Sequence, residues 1–154
     1  MEFDYQRLYL TAEGRIGRQD FWMGILGFVV VGIVLGLIIW GLFGATSFIA
    51  RLLNFIVQLV FAYPSYNLMA KRFQDRGRPP MIAMIVIGIS LLLGLIGLFT
   101  GGPMGTTAPG ALGTIFGLIW AVIAIWVIVE LGFLRGTVGQ NEYGPDPVGG
   151  MKAA

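Results

Sequence analysis

The sequence predicts an all-α integral membrane protein with four transmembrane helices and both termini in the cytoplasm. Three observations lead to this prediction: an apolar composition, four long apolar stretches and a one-sided distribution of arginine and lysine. Of the 154 residues, 56% are hydrophobic and only 12% are charged, with a mean hydropathy of +0.82, which is outside the usual balance of soluble domains. Four spans of about 20 residues use up most of the chain, so we expect one membrane domain over residues 1–154.

Each predicted span is long enough to cross a hydrocarbon core of about 30 Å. The first span contains no charged residue, and the fourth is interrupted only by Glu130. A short N-terminal interfacial segment precedes the first span, and an ordered cytoplasmic tail follows the fourth. The predicted spans cover residues 21–43, 52–70, 81–100 and 111–134, and the tail covers residues 135–154.

Basic residues are concentrated in the flanks that four spans would place on one side of the membrane. Nine of the ten arginines and lysines lie there, whereas the other side has Arg51 alone and an uncharged loop at 101–110. Cytoplasmic loops carry an excess of arginine and lysine. The pattern therefore predicts that both termini are cytoplasmic.

The residue types that the chain lacks exclude several kinds of chemistry. It contains neither cysteine nor histidine, which excludes disulfides, thiolate or imidazole metal ligation and histidine general bases. Neither a phosphate-cradling loop nor a dinucleotide motif is present. We therefore expect no enzymatic activity, no cofactor and no metal. The net charge of +2 is too small to indicate nucleic-acid binding.

Polar residues within the predicted spans have two interpretations. Asn54, Gln58 and Ser65 share one face of the second span, and Glu130 is the acidic residue within a span. The first interpretation is structural, with interhelical hydrogen bonds and an ion pair between Glu130 and a cytoplasmic arginine. The alternative is a small oligomeric transporter or channel for an ion or small solute, in which these side chains line a wet cavity.

Small residues in two spans predict a close approach of helices. Gly32 and Gly36 form a small-xxx-small pair in the first span, and Gly117 and Ala121 share a strip of the fourth. Packing within a four-helix bundle is the first interpretation, and a homodimer face is the second.

Three polar blocks lie on the predicted cytoplasmic side, at residues 14–22, 71–78 and 136–147. Basic residues near an anionic membrane surface attract lipid headgroups. The first two blocks supply six candidates for binding anionic phospholipid or a membrane-protein partner: Arg15, Arg18, Lys71, Arg72, Arg76 and Arg78. Candidates for ordering these segments into a cap are Asp75, Asn141 and Asp146. The pattern favours an accessory or structural component that acts through an arginine-rich face.

Together, these blocks resemble the domain of unknown function 805 family, small bacterial inner-membrane proteins. The residues that carry the resemblance are Gly14, Arg15, Arg18, Phe21, Trp22, Pro64, Lys71, Arg72, Asp75, Gly136, Gly139, Asn141, Tyr143, Gly144, Pro145, Asp146 and Pro147. The resemblance implies a multi-pass protein of the bacterial inner (plasma) membrane and brings no established activity. The family usually has a histidine before the aspartate of the middle block and a serine-glycine-tryptophan before the third helix. This chain has Gln74 and Pro79-Pro80-Met81 instead, so a role of that histidine in relatives is not expected here.

Overall fold

The computed structural model describes residues 4–44, 47–100 and 111–148. Within these residues the chain forms helices and no strand, which confirms the predicted all-α class. The helices are α1 (Tyr5–Tyr9), α2 (Arg18–Phe43), α3 (Phe48–Asp75), α4 (Met81–Thr100) and α5 (Ala111–Val127), and α5 continues into a π-helical segment (Ile128–Phe133).

Three helices of the described chain are long and apolar enough to cross a membrane. They are Arg18–Phe43, Phe48–Asp75 and Met81–Phe99, and a shorter apolar helix covers Gly117–Phe133. The structure therefore contains three to four helices compatible with membrane spans. The count of four remains a prediction.

Helix α3 extends beyond the predicted span at both ends. The Ser47 side chain accepts a hydrogen bond from the Ala50 amide at 3.1 Å and so caps the start of the helix. At the other end, α3 continues through a polar stretch to Asp75 and includes Pro64 without ending there. Hydropathy locates the apolar part of a helix, whereas the backbone hydrogen bonds continue into these polar turns.

Helix α3 lies between α2 and α4 and contacts both along the bundle. The π-helical segment contacts α2 and α3, while α5 adds partly buried side chains such as Trp120 and Ile123 to the core. The buried core includes Leu68 and Phe73 of α3 and Leu131 of the π-helical segment. This core lies toward the end of the bundle where α3 ends, while Ile39, Ala50 and Leu98 are buried toward the opposite end.

Two close approaches of α2 to its neighbours also lie toward the end of the bundle where α3 ends. A Cβ atom added at Gly24 would lie 2.7 Å from Leu68 Cδ1, and one added at Gly132 would lie 2.7 Å from Trp22 Cζ2. Three glycines of the predicted small-residue strips behave differently. No described atom lies within 4 Å of a Cβ added at Gly32, Gly36 or Gly117. Within the described residues, these three glycines do not make the close approach that packing inside the bundle would require, and the homodimer face stays a prediction.

Helix α1 docks onto the bundle through Tyr9. Its hydroxyl donates a hydrogen bond to the Gly24 carbonyl at 2.9 Å, and its own carbonyl accepts one from Asn67 Nδ2 at 2.7 Å. The Tyr9 ring packs on Phe28, with 4.9 Å between the ring centroids. Burial raises the pKa of the Tyr9 phenol above its ordinary value, so the hydroxyl stays protonated over an even wider pH range than that of a free tyrosine.

We expect Tyr9→Phe to lower the free energy of unfolding by about 1 kcal/mol, because the ring is kept while the Gly24 carbonyl loses its donor. The matched control is Tyr5→Phe, since Tyr5 is 57% exposed on the same short helix. The free energy of unfolding of both variants is measured in mixed detergent micelles. Circular dichroism follows the loss of helix as the fraction of sodium dodecyl sulfate increases. Equal midpoints for the two variants would show that this hydrogen bond does not hold α1.

Candidate functional site

Three segments that are far apart in the sequence meet at the end of the bundle where α3 ends. They are residues 4–17, 71–78 and 134–148, and we call their assembly the polar cap. At its centre lie Arg15, Arg72 and Asp75, which are 4%, 0% and 3% exposed. Charged residues are rarely so buried unless they are paired.

The carboxylate of Asp75 accepts hydrogen bonds from both arginines. Arg15 Nε lies 3.0 Å from Asp75 Oδ1, and Arg72 Nη1 pairs with Asp75 Oδ2. Arg72 lies one helical turn before Asp75 on α3, a spacing that brings the two side chains together. Two guanidinium groups and one carboxylate leave this buried cluster with a net charge of +1.

The remaining donors of Arg15 bind the tail. Its Nη1 donates to the carbonyls of Gly139 at 2.7 Å and Gly144 at 3.1 Å, and its Nη2 donates to the Thr137 carbonyl at 2.6 Å. Five donors in a rigid planar fork suit arginine to such a role. One side chain therefore fixes the tail to the segment that precedes α2.

The remaining donors of Arg72 bind the end of the π-helical segment. Its Nε donates to the Leu131 carbonyl and its Nη2 to the Leu134 carbonyl, both at 2.6 Å. The last carbonyls of a helix lack partners within that helix, and positive charge near a helix C-terminus is stabilising. Arg72 therefore satisfies backbone groups that would otherwise be unpaired in an apolar setting.

Two residues of α2 bind the carbonyls that lie between these. Trp22 Nε1 donates to the Gly132 carbonyl at 3.1 Å, and Arg18 Nη1 donates to the Phe133 carbonyl at 3.2 Å. Four consecutive carbonyls, from Leu131 to Leu134, thus receive side-chain donors from α2 and α3.

The tail also bonds the end of α3 directly. The amide and hydroxyl of Thr137 donate to the Asp75 carbonyl at 2.8 and 3.0 Å. Asn141 Nδ2 donates to the Gln74 carbonyl at 2.9 Å, and Asn141 Oδ1 accepts from the Tyr143 amide at 2.9 Å. Asn141 therefore bridges the tail to α3 and orders a turn of the tail itself.

Asp146 orders the last described part of the tail. Its carboxylate accepts hydrogen bonds from the amides of Gly139 at 3.2 Å and Val148 at 2.9 Å. Gly139 and Gly144 have φ angles of +80° and +131°, which glycine adopts without the steric cost of a Cβ atom. The described tail is thus a folded segment held by specific contacts.

The six candidate lipid- or partner-binding residues divide into two groups. Arg15, Lys71 and Arg72 are buried, and Lys71 Nζ donates to the Arg7 carbonyl and to Thr11 Oγ1. Their charges act within the cap. Arg18 is exposed, whereas the side chains of Arg76 and Arg78 are 20% and 43% exposed and reach the surface only in part.

Glu130 belongs to the cap's ion pairs. Its Oε1 lies 3.1 Å from Arg76 Nη2 and 3.0 Å from Arg78 Nε, and the residue is 5% exposed. Of the two interpretations from the sequence, this geometry corresponds to the structural ion pair with cytoplasmic arginines.

The side-chain amides of Asn54 and Gln58 donate hydrogen bonds to backbone carbonyls of two different helices. Asn54 Nδ2 donates to the Ala50 carbonyl of its own helix at 2.8 Å, whereas Gln58 Nε2 donates to the Ser90 carbonyl of α4 at 2.9 Å. A Cβ atom added at Gly94 would collide with the Gln58 amide. Gly94 therefore provides the space in which the Gln58 side chain crosses to α4.

A mostly apolar cavity of about 320 Å³ lies among the long helices. Gln58 and Ser65 line it, together with apolar side chains that include Trp120 and Ile123 of α5. Glu130 does not line this cavity. The acidic group and the polar pair therefore do not share a surface in this structure.

Parts of this site could not be identified from the sequence. The acceptor carbonyls of the π-helical segment carry no side-chain signal, and nothing in the sequence around Arg135 places its side chain beside the cap. In the chain that the structure describes, no group of three His, Cys, Asp or Glu residues could hold a metal ion. In chemical terms, the cap consists largely of arginine side chains that donate hydrogen bonds to backbone carbonyl oxygens.

The fold and the site define a helical protein with helices of membrane-spanning length and a polar cap built on buried arginine. The chain belongs to the family described as "Protein of unknown function (DUF805)", which it matches over residues 9–145, so the suspected resemblance is confirmed. It is 29% identical over 144 residues to "Uncharacterized protein YiiR" of Escherichia coli strain K12, covering 92% of this chain and 88% of the relative. The YiiR protein of Escherichia coli O157:H7 matches with the same identity and coverage. No solved structure matches the chain.

We expect Gly136→Ala to destabilise the protein by about 1–3 kcal/mol, because the added methyl group would collide with the Asp75 carboxylate. Gly32→Ala is the matched control, since nothing lies within 4 Å of the added atom and alanine is the better helix former. The free energy of unfolding in mixed detergent micelles is measured for the two variants and for wild type. A Gly136→Ala protein as stable as Gly32→Ala would contradict the tight fit around Asp75.

Proposed function

We propose that this protein is a non-enzymatic, multi-pass protein of the bacterial inner (plasma) membrane that acts as an accessory or structural component. It binds anionic phospholipid through the surface arginines of its polar cap, and a partner protein is the other ligand class that this face suits. The observation that carries the proposal is the folded cap. Buried Arg15 and Arg72 form ion pairs with Asp75 inside it. The side chains of Arg18, Arg76 and Arg78 extend toward its surface.

The position of these arginines at the end of apolar helices supports lipid binding. Trp22 and Phe133 are exposed beside them, with 5.7 Å between the ring centroids, and aromatic residues favour the level of the lipid headgroups. A basic residue near an anionic leaflet contributes about 1 kcal/mol. A folded cap holds these charges at fixed positions, which favours binding of ordered lipids over a diffuse attraction.

We propose four spans with both termini in the cytoplasm. The N-terminal segment and the tail lie at the same end of the bundle, which agrees with an even number of crossings. Helix α5 and the π-helical segment together cover Ala111–Phe133, and at about 1.5 Å per residue such a length can cross a bilayer. The excess of basic residues at this end supports its cytoplasmic location.

The second candidate function is a small oligomeric transporter or channel. The cavity of about 320 Å³ lined by Gln58 and Ser65 favours it. Two contacts favour the accessory role instead: Gln58 bonds the backbone of α4, and Glu130 is paired with Arg76 and Arg78. A homodimer remains compatible with both functions.

The lipid preference of the full chain tests the proposal. We expect spin-labelled phosphatidylglycerol to associate with the reconstituted protein more strongly than spin-labelled phosphatidylcholine, as measured by electron paramagnetic resonance. The preference should fall at about 1 M salt, where the screening length is about 3 Å. Equal association of the two lipids at every salt concentration would refute lipid binding by the cap.

Single cysteines test the orientation, because the natural chain has none. We expect Thr106→Cys, in the predicted outer loop, to react with a membrane-impermeant maleimide on intact spheroplasts. Glu142→Cys, in the exposed part of the tail, should react only after the membrane is permeabilised. The reverse pattern would place the polar cap outside the cell.

A further inference from the structure

A second cavity, of about 120 Å³, lies within the polar cap. The start of α2, the end of α3 and the tail enclose it, and its charged lining residues are Arg18, Arg72, Asp75, Arg135 and Asp146. The cavity is large enough for several water molecules and hence for a small anionic group.

The lining has an excess of positive charge. Three arginines face two aspartates, and Asp75 is already shared between Arg72 and Arg15 behind the cavity wall. The carboxylate of Asp146 accepts two backbone amides of the tail. The two carboxylates balance only two of the three lining arginines, so the lining keeps a net charge of +1.

Two of the lining arginines have donors to spare. Arg135 is exposed, and its guanidinium group bonds to no other residue in the part of the chain that the structure describes. Arg18 is also exposed and directs Nη1 alone to the Phe133 carbonyl. Guanidinium groups bind phosphate oxygens with two parallel hydrogen bonds. Both side chains are therefore free to bind the same anion.

The start of α2 adds to the field in the cavity. Gly17 lines it and is the N-cap of this 26-residue helix, where no side chain caps the first amides. The N-terminus of a helix favours negative charge. This contribution is secondary to that of the three arginines.

We propose that this cavity binds a phosphate group, held by Arg18 and Arg135 at its mouth and by the charge of Arg72 in its wall. This inference rests on the proposed function and deepens it, because it names the lipid group that is bound and the residues that bind it. The phosphate of an anionic phospholipid and a free phosphate ion share this chemistry. Exposed Trp22 and Phe133 near the mouth place it at the depth of the lipid phosphates.

The test uses the full chain and three single variants. Arg18→Gln and Arg135→Gln each remove one cationic donor from the cavity. Arg7→Gln is the matched control, because Arg7 is an exposed arginine of the same cap that does not line the cavity. Melting temperatures establish first that all three variants remain folded.

One arm of the experiment measures the binding of lipid to the protein, and the other measures the binding of free phosphate. Native mass spectrometry of protein released from nanodiscs counts bound phosphatidylglycerol against phosphatidylcholine, and calorimetry in detergent measures inorganic phosphate. We expect Arg18→Gln and Arg135→Gln each to weaken binding in at least one arm by about tenfold, as loss of a charged hydrogen bond does. Arg7→Gln should bind as wild type does.

Each outcome separates this inference from the proposed function. The cavity site is overturned, while lipid binding by the cap stands, if phosphatidylglycerol binding falls equally in all three variants or in none and phosphate binding does not depend on Arg18 and Arg135. Phosphate binding that depends on Arg18 and Arg135, without a preference for phosphatidylglycerol, supports the cavity site and refutes the proposed lipid function. A wild-type protein that binds neither probe overturns both.

Discussion

The buried carboxylate of Asp75, shared between Arg15 and Arg72, is the interaction on which the rest of the cap depends. Removing such charges from water costs several kcal/mol for each ion, and their mutual attraction compensates only when the remaining donors are also satisfied. Carbonyls of the tail and of the π-helical segment provide these partners, at distances between 2.6 and 3.1 Å. The path of the backbone over residues 131–144 therefore follows from two guanidinium groups as much as from its own sequence.

This constraint also accounts for the position of the main buried core. The core around Leu68, Phe73 and Leu131 is next to the charged cluster, while a Cβ atom added at Gly32 or Gly36 would meet no neighbouring helix of the described chain within 4 Å. Apolar side chains away from the cap remain exposed, as expected where lipid is the solvent.

The sequence predicts the helices well because long apolar runs have few alternative structures. The structure brings Asp75, Asn141 and Asp146 together in the cap. The sequence does not distinguish a buried arginine from an exposed one. Arg15 and Arg18 are three residues apart and equally polar, yet only Arg15 meets a carboxylate from α3. Nor does it indicate the π-helical segment, whose role depends on backbone carbonyls. The spacing of Gly32 and Gly36 does not specify whether protein or lipid faces the strip that they form.

The most direct measurement of the central claim is a double-mutant cycle on Arg15 and Asp75. The free energy of unfolding is measured for wild type, Arg15→Gln, Asp75→Asn and the double variant in the same detergent mixture. If the ion pair holds the cap, the double variant loses less stability than the sum of the single losses, with a coupling energy of about 1 kcal/mol or more. Additive losses would show that Arg15 and Asp75 act independently and would contradict the account.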